Sequence, residues 1–121
     1  MIAPMTESIQ EDVAEFERNR GQLATVASQK NQLQLQNTML GAALEELANS
    51  KEKRVYKAVG NILILSESRK VEKELKEQKE SAELRLKSLQ KQEEALLDKL
   101  NKIKSRIESY NKKENDSTTS N

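Results

Sequence analysis

Two adjacent carboxylate pairs, Glu45-Glu46 and Glu93-Glu94, are the first residues in this chain whose type and spacing suggest chemistry. Neighbouring carboxylates can split acid and base work or hold a divalent cation, but both tasks need a concave site and further polar partners. The 121 residues include no His and no Cys. That removes the usual general base, every thiol nucleophile and the usual zinc ligand sets. The pairs therefore read as solvated helix faces. Glu72 with Lys76 and Glu83 with Lys87 read as supports spaced i,i+4 along a helix. No catalytic residue, metal or cofactor is expected; the chain is not expected to be an enzyme.

The lysine-rich stretch from Lys99 to Lys113 is the remaining electrostatic candidate. Asp98, Glu108 and Glu114 interrupt it, and Tyr110 is its one stacking aromatic, so a solvated face is favoured over a nucleic-acid patch. The net charge of +1 gives no overall pull toward a polyanion. Its distribution says more: residues 1–50 carry seven acidic and three basic groups, and the rest carries the basic excess. Two halves of opposite sign attract if the chain folds back on itself. No apolar run approaches the ~20 residues that cross a bilayer, and the start MIAPMTES has neither the basic flank nor the apolar core of a signal peptide. A cytoplasmic protein that binds neither membrane nor nucleic acid is expected.

What positions these residues is a pair of helices. Charged residues are 34% and aromatics 2%, too few large apolar groups for a wide core but enough for narrow stripes. Helix 1 is expected over about 6–49, after Pro4, with Thr6 or a Ser8–Glu11 capping box at its start. Its seam runs Ile9, Val13, Phe16, Arg20, Leu23, Val26, Lys30, Leu33, Asn37, Leu40, Leu44, Leu47, with one three-three step at Leu23 and Val26. Helix 2 is expected over about 67–110. Its seam is Val71, Leu75, Gln78, Ala82, Leu86, Leu89, Glu93, Leu96, Leu100, Ile103, Ile107, Tyr110, with a four-four stutter at Ala82 and Leu86. Paired antiparallel, the stripes set Phe16 against Leu100 and Val13 against Ile103. Residues 112–121 are polar and repetitive and read as a disordered tail.

Between the helices, at about 54–66, Val55-Tyr56-Lys57-Ala58-Val59 and Ile62-Leu63-Ile64-Leu65 flank Gly60-Asn61. This is a β-hairpin pattern with a two-residue type II′ turn, Gly60 taking the positive φ. The second strand is apolar on both faces. A lone hairpin is marginal in water and its edges invite further strands, so a sheet shared between subunits is expected.

The order helix, Val55-Tyr56-Lys57-Ala58-Val59-Gly60, apolar strand, then a charged helix containing Val71-Glu72-Lys73-Glu74-Leu75-Lys76-Glu77 resembles the beta class of prefoldin subunits over about residues 6–110. One hairpin rather than two between the helices is similar to that class and unlike the alpha class. The resemblance implies a mainly α fold: a long antiparallel two-helix coiled coil joined by a single β-hairpin, with hairpins assembling into an intersubunit β-barrel. It further implies a hexamer of alpha-class and beta-class prefoldin subunits. That complex would be an ATP-independent holdase gripping non-native proteins at the coil tips and passing them to a group II chaperonin. Subunit assembly would then rest on Val55, Tyr56, Val59, Gly60, Ile62, Leu63, Ile64 and Leu65. Client binding would fall to the apolar tip residues Ile2, Met5, Ile9, Val13, Phe16, Ile103, Ile107 and Tyr110. The plainer reading of Ile9, Val13, Phe16, Ile103 and Ile107 is a buried seam, and the rival function is a structural coiled-coil tether that holds no client.

Overall fold

In the computed structural model the backbone is described for residues 3–119 and the side chains for residues 7–112. The chain runs α1 (Ala3–Asn49), β1 (Arg54–Val59), β2 (Ile62–Glu67) and α2 (Ser68–Thr119). Helix α1 starts earlier than the capping pattern suggests and includes Pro4 in its first turn. A missing N–H is harmless there, because first-turn amides have no intrahelical acceptor. At the other end α2 continues past Tyr110, where the apolar pattern stops, to Thr119. No Pro or Gly stands between those residues, and extending an existing helix costs far less than nucleating one.

The chain divides into two compact units. One, here the terminal coil, pairs α1 up to Gln29 with α2 from Leu89 onward; the other, the hairpin unit, spans Lys30–Ser88.

In the terminal coil the buried and half-buried positions of α1 are Ile9, Asp12, Phe16, Asn19, Leu23 and Val26, beside the flanking Ser8, Glu15 and Ala27. These spacings alternate three and four without a break. The three-three step disappears, because it came from placing the apolar Val13 and the long Arg20 in the seam. Both are exposed instead, Val13 at 44%, while Asn19 is 4% exposed. Val13 is therefore not the layer that covers Ile103. On α2 the seam is Leu89, Glu93, Leu96, Leu100, Ile103, Ile107 and Tyr110, as the pattern expects, with Ile103 only 1% exposed.

The hairpin unit continues the same rhythm on each helix. Lys30, Leu33, Asn37, Leu40, Leu44 and Leu47 are half-buried on α1. On α2, Ser68, Glu72, Leu75, Lys79, Ala82 and Leu86 form an unbroken alternation of four and three, so Lys79 rather than Gln78 lies in the seam and no stutter is needed. The stem of Lys79 lies across Gly41, whose absent Cβ would sit 3.5 Å from Lys79 Cε. Long basic side chains cover apolar surface with their methylenes in this way.

The backbone leaves α1 through Ser50, whose N–H donates to the carbonyls of Glu46 (3.0 Å) and Leu47 (3.2 Å). Strands β1 and β2 pair antiparallel from Val59↔Ile62 out to Arg54↔Glu67. Gly60 has φ 60°, and no non-Gly residue among those described has a positive φ. Positive φ at the first central position alone marks a type II′ turn. Strand β2 passes straight into α2, and the Ser68 N–H donates to the Lys53 carbonyl at 2.8 Å, closing the base of the hairpin.

Candidate functional site

Period-two alternation and the observed register divide the hairpin side chains between two faces. Val55, Lys57, Val59, Ile62, Ile64 and Ser66 share one; Arg54, Tyr56, Ala58, Leu63, Leu65 and Glu67 share the other. The first face is joined to α2 by Lys57 Nζ, which donates to Glu74 Oε2 at 2.6 Å. This bond, from a partly buried lysine, holds the Glu74 carboxyl below its ordinary value, against a smaller opposing effect of desolvation. Val55 and Lys57 are half-buried, but the other apolar hairpin residues lie open: Tyr56 is 70% exposed, Ile62 and Leu63 66% each, and Val59, Ile64 and Leu65 about half. The hairpin thus has apolar side chains in water on both faces and an unpaired edge on each strand.

The terminal coil is held by charges that cross between its helices. Arg106 grips Asp12 with two nitrogens, Nη2 to Oδ1 at 3.0 Å and Nε to Oδ2 at 3.4 Å. Glu15 stands 3.6 Å from the same guanidinium and 3.5 Å from Lys99 Nζ. The Asp12 hydrogen bond, with Glu15 and Tyr110 adding to it, raises Arg106 above its already high ordinary value. Beyond this network, Gly21, Gln22, Thr25, Val26, Gln92, Ala95 and Leu96 line a shallow open groove of about 620 Å³ that has no ionisable group.

Of the expected client-binding residues, Val13 is exposed, Ile9, Phe16, Ile107 and Tyr110 are half-buried, and Ile103 is fully buried. Ile2 and the Met5 side chain lie outside the described residues. The carboxylate pairs make no site: Glu45 and Glu46 are exposed on α1, and Glu94 accepts from Gln90 on its own helix at 3.1 Å. Among the described residues no cluster of three or more His, Cys, Asp or Glu could hold a metal ion, and no helix is long and apolar enough to cross a membrane. Within the lysine-rich segment, Lys102 lies beside Asp98 at 3.2 Å, and Lys99 and Arg106 are bound to carboxylates across the coil.

The family described as prefoldin subunit matches residues 10–114, nearly the whole chain. The chain belongs to the prefoldin family. It is 39% identical over 101 residues to a prefoldin subunit beta of Archaeoglobus fulgidus, covering 83% of this chain and 87% of that one. A prefoldin subunit beta of Thermococcus onnurineus is 36% identical over the same shares. The crystal structure of the prefoldin beta subunit from Thermococcus strain KS-1 superposes with a TM-score of 0.77 at 34% identity, covering 84% of this chain and 90% of that one. The prefoldin fold, two helices packed together with a single antiparallel hairpin, is the architecture the sequence pattern expects.

Several residues of this prefoldin chain stand out only in the structure. Asp12 and Asn19 occupy seam positions, and a strict count of three and four from Ile9 would have reached both. Leu35, Met39, Leu84 and Leu97 are exposed apolar residues outside the seam. The link between Lys57 and Glu74 joins residues 17 apart, and no spacing rule within one element pairs them.

Proposed function

We propose that this prefoldin chaperone subunit works as an ATP-independent holdase within a cytoplasmic hetero-hexamer of alpha-class and beta-class subunits. Its hairpin joins a β-barrel platform. The apolar residues of the terminal coil hold non-native proteins, which pass to a group II chaperonin. The observation that supports this most is the uncovered hairpin. Six apolar side chains, from Tyr56 to Leu65, stand between 47% and 70% exposed on a sheet of only two strands. Monomeric proteins rarely leave such a patch open, and each side chain covered by a neighbour contributes about 1.5–3 kcal/mol. A coiled-coil tether has no use for it.

Holding through the terminal coil follows from multivalency: several weak apolar contacts on one assembly gain avidity through effective concentration. The test is light scattering of a denatured protein diluted into the assembled complex. Replacing Ile2, Met5 and Val13 with Ser should lower suppression of aggregation several-fold while assembly persists. Full protection by such an assembly would remove Ile2, Met5 and Val13 from the holding surface.

A further inference from the structure

We propose that two amide-rimmed grooves, one in each unit, hold the extended main chain of a non-native protein. The groups that hold it are the side-chain amides of Gln22 and Gln92 in one groove and of Gln36 and Gln78 in the other. The assignment rests on the holding function proposed above and adds to it a site for the peptide backbone itself.

Each groove is built from the same parts. In the terminal coil, Gln22 of α1 and Gln92 of α2 line it together with the seam residues Val26 and Leu96. In the hairpin unit, Gln36 of α1 and Gln78 of α2 do so with Leu40 and Met39, around a space of about 310 Å³. Two heptads separate Gln22 from Gln36, and two separate Gln78 from Gln92. All four glutamines are exposed, whereas Val26 is buried and Leu40 and Leu96 are half-buried, so amides form the rims and apolar groups the floors. Among the described residues, no hydrogen bond engages the side chain of any of the four. Small residues keep the first groove open to a backbone: a Cβ on Gly21 would meet nothing within 4 Å, and Ala95 is another lining residue.

These are uncharged sites in a charged chain. Residues 21–29 and 31–44 of α1 carry no charge, although 34% of the chain is charged. On α2, Gln78 stands between Glu77 and Lys79, and Gln92 between Lys91 and Glu93, yet the glutamines are what reach the grooves. A carboxylate only accepts hydrogen bonds and an ammonium only donates, whereas an amide does both. It therefore matches the peptide unit, with its one donor and one acceptor, whichever way the bound chain runs. A non-native protein presents such unpaired groups along any extended segment. Main-chain hydrogen bonds give affinity without demanding a sequence, and the apolar floors take whatever side chains fit. Neither groove requires its two helices to part.

The full-length chain assembled with an alpha-class subunit tests this by fluorescence anisotropy of a labelled, uncharged peptide of Leu, Ser and Thr. The same peptide N-methylated at alternate residues keeps its side chains but loses those backbone donors. The unaltered assembly should bind the methylated form at least about fivefold more weakly. Gln22→Met, Gln36→Met, Gln78→Met and Gln92→Met together keep long, helix-favouring side chains but remove every rim amide. That variant should bind the parent peptide at least about fivefold more weakly and should no longer distinguish the methylated one. Replacing only the pair at 22 and 92, or only the pair at 36 and 78, should give part of the same loss. Apolar recognition alone would instead gain from methionine, so equal or tighter binding of the parent peptide by these variants overturns the proposal. Equal binding of both peptides by the unaltered assembly overturns it as well. Light scattering with a denatured protein separates this site from the holding function. Undiminished protection by the variant with all four replacements would leave holding in place and remove the grooves from it; no protection by the unaltered assembly would sink both.

Discussion

The three glycines of this chain sit in two different conformations, and the difference sets the sign of their substitution. Gly60 adopts φ 60° at the first central position of the hairpin turn. A β-branched side chain there is strained whatever space surrounds it. Gly60→Val should therefore lower stability in urea unfolding by about 1–3 kcal/mol. Gly21 and Gly41 lie inside α1. A Cβ on Gly21 would meet nothing within 4 Å, and one on Gly41 would make an ordinary contact with Lys79. Ala at either position should raise stability by about 0.5–1 kcal/mol, since a helical glycine carries the larger entropy loss on folding. A loss on Gly21→Ala would show that something covers this stretch of helix in solution.

At the scale of elements, the contact that fixes the hairpin to α2 is ionic at its centre. Glu74 is held below its ordinary carboxyl value of 4.5 by the hydrogen bond from Lys57. A depressed carboxylate contributes stability above its unfolded value and loses it as pH falls through the folded one. Lowering pH from 6 to 3 should thus loosen β1 against the start of α2. After correction for intrinsic rates, amide exchange should quicken there. Glu74→Gln should show the quickened exchange already at pH 6, with no further change from this pair on acidification. Glu72 is depressed likewise by Lys76, but that pair lies within α2, so its loss frays one helix end and leaves the hairpin junction intact. An unaltered pH response in Glu74→Gln would show that the link contributes nothing to the junction.

For the whole molecule, the accessible surface argues for partners. The chain exposes 9690 Å² for its 13.8 kDa, whereas a compact monomer of that mass exposes about 6,600 Å². Among the described residues one large side chain, Ile103, is fully buried. A chain so thinly covered gains most by burying its hairpin between subunits. Ile64→Asp places a charge on the face that Lys57 already shares and should abolish co-assembly with an alpha-class subunit. Circular dichroism should change little, because the mutated strand lies outside both helices. Normal assembly of this variant, measured by native mass, would rule out the hairpin as the platform.

The sequence by itself determined the two helices, the hairpin between them and the turn residue. These depend on local rules: apolar spacing near 3.5, apolar and β-branched runs, and one glycine free to take positive φ. It also placed the α2 seam from Leu86 to Tyr110, where every position but Glu93 is apolar or aromatic. On α1 the same approach went astray. Choosing Val13 and Arg20 over Asp12 and Asn19 put a long charged residue and an apolar neighbour ahead of the strict alternation of spacing. Only the tertiary structure showed that backbone geometry prevails there. Helical phase is common to the entire seam, so a local polar residue is carried inward with its neighbours and must find a partner on the other helix. Asp12 finds Arg106, 94 residues away; the amide nitrogen of Asn19 finds none. Such a pairing depends on how two distant segments align, and spacing within one segment does not encode that.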